Sequence, residues 1–379
     1  MRYRIVHRTT YHYASPVYES FNEVRLQPSS TPTQNCLSFD LAIDPPATII
    51  TFMDYYGNMV HDFGVPYLHD HLTIEATSDV VTFADADQPL GGPRAGEPDS
   101  APSLTALAAD ELIADQWSEF LNASAYVALE PQARALALAI LAEEPGLSAL
   151  DFLTRAGTYI REHFTYQVGA TNVRTTVVEL IAGGSGVCQD YSHLLIALCR
   201  HVGLPARYVS GYLGSVGQSS ASHAWAEAFV PPYGWIGIDP TLGTLCTGRH
   251  VKMAIGRDYA DVPPLRGTYR GGGEATLDVA VRGETLGDTR DIAATRPFGA
   301  EPNRKRLVQY QTLGAAAQMQ RLGAMTQTLG GMTQTLGTAT FSEGMGMRFQ
   351  QEETEVPRQQ PQQQQQQHGR RSSPRRRGR

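Results

Sequence analysis

The chain has 379 residues, 41% hydrophobic and 18% charged, which is enough apolar material for two or three structural units with ample cores. Its four cysteines, Cys36, Cys188, Cys199 and Cys246, include no C-x-x-C pair, which speaks against a zinc finger or redox dithiol and points to a reducing compartment. The net charge of −7 hides seven arginines in residues 358–379, a segment without acids, so the remainder carries −14.

The opening residues Met1–His7 lack the apolar run of a signal peptide, and no stretch approaches the ~18 apolar residues that span a bilayer. A cytoplasmic protein without membrane insertion is expected. Residues 1–90 read as β-structure. Tyr3, Ile5 and His7 alternate with polar partners, as do Leu37, Phe39, Leu41 and Ile43. Further strands are predicted at Ile49–Phe52, Leu72–Ile74 and Val80–Phe83, with turns at Pro45-Pro46 and Gly57-Asn58, giving a small antiparallel domain or sandwich. Residues 91–103, rich in Pro, Gly and Asp, form a linker.

From Leu104 the period becomes helical. Helices are predicted around 104–120 and 131–142, over Ser148–Thr165 with Ser148 as N-cap, and from Cys188 to about Val202, where Gly203 and Pro205 stop the last one. Strands return at Ala206–Tyr212, His223–Val230 and Trp235–Asp239. Pro231-Pro232-Tyr233-Gly234 joins the last two as a hairpin, and Thr276–Val281 adds one more strand. The fold class is α+β, with a second unit over 104–285. Residues 286–379 repeat Met-Thr-Gln-Thr-Leu-Gly twice and end in glutamine and arginine runs, a low-complexity tail expected to be disordered.

Cys188 follows Gly184-Ser185-Gly186-Val187 and opens a helix. The positive end of the helix dipole favours a thiolate there, and small residues upstream allow a sharp turn and close substrate approach. A thiolate nucleophile needs a proton acceptor, and the acceptor needs an orienting group. His223, early on one hairpin strand, and Asp239, late on its partner, can meet across the ladder. Such a site needs no metal and no cofactor. His193 lies about 140° around the helix from Cys188, and His201 lies at its far end, so neither serves as base. His69-Asp70-His71 lacks a third metal ligand at a defined spacing. Cys36, Cys199 and Cys246 read as small buried hydrophobes. Elbow-type serine, P-loop, dinucleotide-binding and zincin motifs are missing.

At these residues the sequence resembles the transglutaminase-like superfamily, papain-related proteins with a Cys-His-Asp triad. The resemblance rests on Gly186–Tyr191, Gly203–Tyr212, His223-Ala224-Trp225-Ala226-Glu227 and Asp239-Pro240-Thr241. It extends to Thr10–Tyr13 and Asn22–Leu26, which are similar to the β-rich N-terminal region of bacterial members, and to Gly256–Tyr259 with Pro263–Gly267. It covers about residues 1–285 and makes 104–285 a catalytic core, with its nucleophile helix packed on an antiparallel sheet.

The resemblance implies Cys188 as nucleophile, His223 as base and Asp239 as orienting acid. The Cys188 backbone N–H is one natural oxyanion donor at a helix start. Tyr166 stands where the family carries a motif upstream of the nucleophile, and is the candidate second donor or else a core aromatic. A cysteine-dependent amide hydrolase, a peptidase or isopeptidase acting on a peptide or protein amide, is the leading expectation. A glutamine transglutaminase using the same triad and a non-catalytic binding module are the alternatives. The arginine-rich end fits a solvated tail or a weak contact with nucleic acid or another anionic surface.

Overall fold

The computed structural model describes residues 1–84, 89–93, 100–144, 146–214, 221–272 and 274–287. The spine of its first sheet is β1 (Arg2–Val24), whose alternating apolar and polar residues put Tyr3, Ile5, His7 and Thr9 on a buried face. Arg4 and Arg8 face outward and pair with Asp79 and Glu75, each at 2.9 Å. The sheet order is β2 (Gln34–Asp44), β5 (His69–Thr82), β1, β4 (Met59–Val65), β3 (Ile49–Met53), and every pairing is antiparallel.

The predicted helix around 104–120 is broken into α1 (Leu104–Ala108), α2 (Glu111–Gln116) and a 3₁₀ turn at Ser118–Phe120. Asp110 causes the break: its carboxylate accepts hydrogen bonds from the Leu112 and Ile113 N–H groups and so starts a new helix. Next come α3 (Pro131–Glu143) and α4 (Ala149–His163), the latter capped by Ser148, whose Oγ accepts from Asp151 N–H at 3.0 Å. The chain then forms β6 (Thr165–Tyr166), α5 (Val177–Gly183) and β7 (Ser185–Gly186), with β6 and β7 pairing in parallel.

The second sheet is packed against α6 (Cys188–His201). Its order is β11 (Thr244–Leu245), β10 (Gly234–Asp239), β9 (Ala221–Val230), β8 (Ala206–Leu213), β12 (His250–Gly256), again all antiparallel. Ala224, Ala226 and Ala228 share one core with Leu194, Leu195, Ile196 and Leu198 of α6. Alternate alanines let a helix that is buried from Asp190 to Arg200 lie close to the strand, and each buried leucine or isoleucine contributes about 2 kcal/mol. The opposite face of β9 carries Trp225, packed with Val209 and Cys246 in a separate cluster.

After β12 the chain returns to the first sheet. β13 (Leu265–Gly271) and β14 (Ala275–Gly287) pair with β1, so residues 265–285, grouped with the catalytic core on sequence grounds, belong structurally to the first sheet. The core is thus inserted between β5 and β13. The expected tail, beyond its first two residues, lies outside the described residues. No helix among the described residues is long and apolar enough to cross a membrane.

Candidate active site

Two glycines shape the approach to α6. Gly184 takes a left-handed φ of 66° to end α5, a conformation that costs glycine little. At Gly186 a Cβ would lie 2.7 Å from Leu180 Cδ1 and 3.0 Å from Asp190 Oδ2, so only glycine fits without displacement. Asp190, in the first turn of α6, accepts from the Val187 N–H at 2.9 Å and from the Thr171 hydroxyl at 2.6 Å. These bonds fix the chain just before half-buried Cys188, the first residue of the helix.

His223 and Asp239 meet as the hairpin predicts. The ladder pairs Ile238 with Ala226, which places Asp239 diagonally from His223 rather than opposite it. His223 Nε2 lies 2.6 Å from Asp239 Oδ2. The His223 ring also lies beside the Cys188 side chain, which bears on its ionisation. Nε2 is committed to Asp239, so Nδ1 is the ring atom left for the thiol. Burial by itself would lower the His223 pKa, but the hydrogen bonds and charges of Asp239 and Cys188 outweigh it and raise the group to about 10. Burial opposes ionisation of Asp239 as well; donation from His223 and His250 overcomes it and holds the carboxyl well below its usual range.

Asp239 is fully buried. Its Oδ1 accepts from the Thr241 N–H at 2.9 Å and sits 3.4 Å from the Leu242 nitrogen. Its Oδ2 receives His250 Nε2 at 3.2 Å in addition to His223. His250 was not anticipated from the sequence: it opens β12, an edge strand two places removed from β9. The nearest local signal is its position at the head of the apolar run Val251–Ile255, which says nothing of Asp239.

His223, Asp239 and His250 bring atoms of metal-ligand type within 4.8 Å of one another. Both imidazoles, however, aim Nε2 at one carboxylate oxygen. His250 Nδ1 accepts the Thr247 N–H at 3.0 Å, which leaves the ring proton on Nε2, where it is donated to Asp239. A proton-bearing nitrogen has no lone pair for a cation, so the residues fit a hydrogen-bond network better than a metal centre.

Tyr166 does not end a helix, because α4 stops at His163 and Tyr166 lies on β6 beside Gly186 of β7. Its phenol lies beside the thiol and the backbone of Cys188, and both bear on its ionisation. Burial first, and then the neighbouring thiol, pushes the phenol up to about 12. The ring is nearly half exposed and packs edge-on against Tyr191.

The other histidines and cysteines lie elsewhere. His193 is buried with its ring parallel to Tyr126, and its Nε2 accepts the Tyr259 N–H. His201 contacts the Glu130 carbonyl at the far end of α6. His69 turns to the Tyr67 carbonyl while His71 lies between Asp70 and Asp44, so this triplet does not converge. Burial pushes the Cys36 thiol up to about 11 and that of Cys199 to about 12, and drives Cys246 well above its ordinary value.

Chemically, the site holds a thiol at a helix start, an imidazole able to take its proton, and a buried carboxylate behind the imidazole. The family pattern for the bacterial transglutaminase-like N-terminal region matches residues 3–81, and that for the transglutaminase-like superfamily matches residues 135–240. An uncharacterized protein of Mycobacterium leprae is 32% identical over 291 residues, covering 74% of this chain and 97% of its own. A solved structure from Cytophaga hutchinsonii, described as a candidate cysteine protease, has a TM-score of 0.58 at 25% identity and covers 76% of this chain and 91% of its own. A protein-glutamine gamma-glutamyltransferase of Pseudomonas aeruginosa is 36% identical over 104 residues, covering 23% of this chain and 15% of that protein. Site and relatives together support a cysteine-dependent enzyme of this fold. The chain belongs to the transglutaminase-like superfamily, with the bacterial transglutaminase-like N-terminal region as part of its first sheet.

Proposed function

We propose that this protein is a cysteine-dependent amide hydrolase, a peptidase or isopeptidase working through a thioester. The observation that carries this reading is His223 hydrogen-bonded at 2.6 Å to fully buried Asp239 and lying beside the Cys188 thiol. His223 takes the thiol proton, and the Cys188 sulfur attacks the amide carbonyl carbon. The carbonyl oxygen, now an oxyanion, accepts from the Cys188 N–H and from the Tyr166 hydroxyl beside it. Collapse breaks the C–N bond, and His223 returns its proton to the leaving amine. Water, deprotonated by His223, then attacks the thioester, releasing the acid and restoring the thiol.

If an amine replaces that water, the product is a new amide and the enzyme is a transglutaminase. The stretch similar to the Pseudomonas gamma-glutamyltransferase favours this second reading, and the Cytophaga structure favours the first. Incubation with a glutamine-containing peptide and a primary amine separates them by mass spectrometry. Hydrolysis is expected to dominate; robust amine incorporation would reverse the order. A Cys188→Ala protein that matched wild type in every turnover assay would leave only a binding module. The cytoplasmic setting belongs to the same proposal, and cell fractionation tests it.

A further inference from the structure

We propose that His250 is a positioning residue for this site, holding the Asp239 carboxylate aimed at His223 from a loop that the first sheet fixes in place. The inference rests on the reading of Cys188, His223 and Asp239 as a working triad, and adds a fourth member that touches neither substrate nor sulfur.

The argument begins with the burial of Asp239. A carboxylate without solvent must satisfy its oxygens from the protein. Oδ1 is held by the Thr241 N–H, and Oδ2 is shared by His223 and His250. Without His250 the second donor on Oδ2 disappears, and the buried oxygen is left to a single imidazole. The carboxylate can then rotate or take up a proton, and either event releases the grip on the His223 ring.

The tautomer makes His250 suited to this task. The Thr247 N–H occupies Nδ1, so the proton on Nε2 is directed at Asp239. Trp225 packs edge-on against the ring at 5.2 Å and restricts its tilt. Both His250 and Trp225 are buried.

The loop before His250 is tied to the first sheet. The Gly248 carbonyl accepts from the Tyr3 hydroxyl at 3.1 Å and from the Thr82 hydroxyl at 2.8 Å. Pro89 and Thr247 form an isolated bridge, and the Gly214 N–H donates to the Arg249 carbonyl at 2.9 Å. Strands β1 and β5 therefore reach the catalytic carboxylate through two residues of loop and one imidazole.

The test compares His250→Gln, which keeps a donor near the Nε2 position, with His250→Phe, which keeps bulk and loses the donor. Both lose the Thr247 contact equally. The readout is the rate of Cys188 alkylation by iodoacetamide, followed by mass spectrometry and requiring no substrate. His250→Phe is expected to slow alkylation about tenfold, with His250→Gln within about threefold of wild type, as for a group that orients the base. Equal slowing of the two variants, or a His250→Phe rate within about twofold of wild type, overturns the proposal. Long-range ¹⁵N–¹H spectra of the wild-type protein give a readout independent of variant folding. They should show the His250 proton on Nε2; a proton on Nδ1 overturns the assignment. If amide turnover fails while alkylation still depends on His250, the hydrolase reading falls and this one stands. Turnover that persists with His250→Phe alkylating normally defeats this one alone.

Discussion

Along β1, buried Tyr3, Ile5 and His7 alternate with exposed Arg4 and Arg8, whereas on β8 the residues from Tyr208 to Tyr212 are buried without interruption. The first sheet keeps one face toward water and can leave its charges there in pairs such as Arg8–Glu75. The second is covered on both faces, so its carboxylates must find protein partners. Asp239 has four donors and Glu227 is met by Arg207 and Lys252. Burial on both sides thus makes the second sheet the place where a carboxylate can act on a neighbour at full strength, because no water competes.

The sharpest break of this comparison exchanges one carboxylate in each sheet for an amide. Asp239→Asn is expected to lower kcat about 10³-fold, because the uncharged amide has one accepting oxygen and cannot take both the imidazole donors and the Thr241 N–H. Glu75→Gln removes the pair with exposed Arg8 on the first sheet, and should leave turnover within about twofold and stability within about 1 kcal/mol. Steady-state kinetics and urea denaturation measure both. If Asp239→Asn stays within a few-fold of wild type, the carboxylate is only a turn cap for Thr241.

Titration separates the sheets next. The His223 pKa is raised from 6.5 to about 10, so its pairing stabilises the fold fully below the unfolded value and is lost as pH rises through about 10. Melting temperature should fall over that window, with turnover dropping about tenfold per pH unit above it. His223→Ala should abolish this part of the thermal dependence; an unchanged profile would show that another group controls it.

A smaller effect is expected at the edge of the site. Tyr166→Phe should reduce kcat about tenfold with KM unchanged, as for one oxyanion donor on a half-exposed ring. A rise in KM alone would make Tyr166 a substrate contact. The smallest effect tests whether the first sheet is a bystander. Thr82→Val removes one of the two donors to the Gly248 carbonyl, and should cost about 1 kcal/mol of stability and slow Cys188 alkylation about twofold.

Much of the site was legible because its signals are local. A glycine-flanked cysteine before an apolar run announced α6, and the turn at Pro231–Gly234 fixed which ends of β9 and β10 coincide. Ser148 was readable as a cap for the same reason. Asp110 is an equally local signal, and it divides the helix predicted around 104–120. The short helix α5 escaped although Thr176 and Glu179 form a capping box at its start. Other features had no local sign. β13 and β14 are defined by pairing with β1, and His250 by contact with a carboxylate on another strand. A period-two pattern shows that a strand exists and not which neighbour it joins.

The return of β14 to β1, where Arg2 faces Gly287, bears on how the protein is made. During synthesis β1 leaves the ribosome long before its partners on that side, and one of its edges stays unpaired while the whole inserted core is being translated. Closing the ladder joins residues at opposite ends of the described chain, a slow kind of contact. The first sheet is therefore completed last along the open edge of β1, and the nascent chain passes through a stage in which a long strand edge must be kept from other chains.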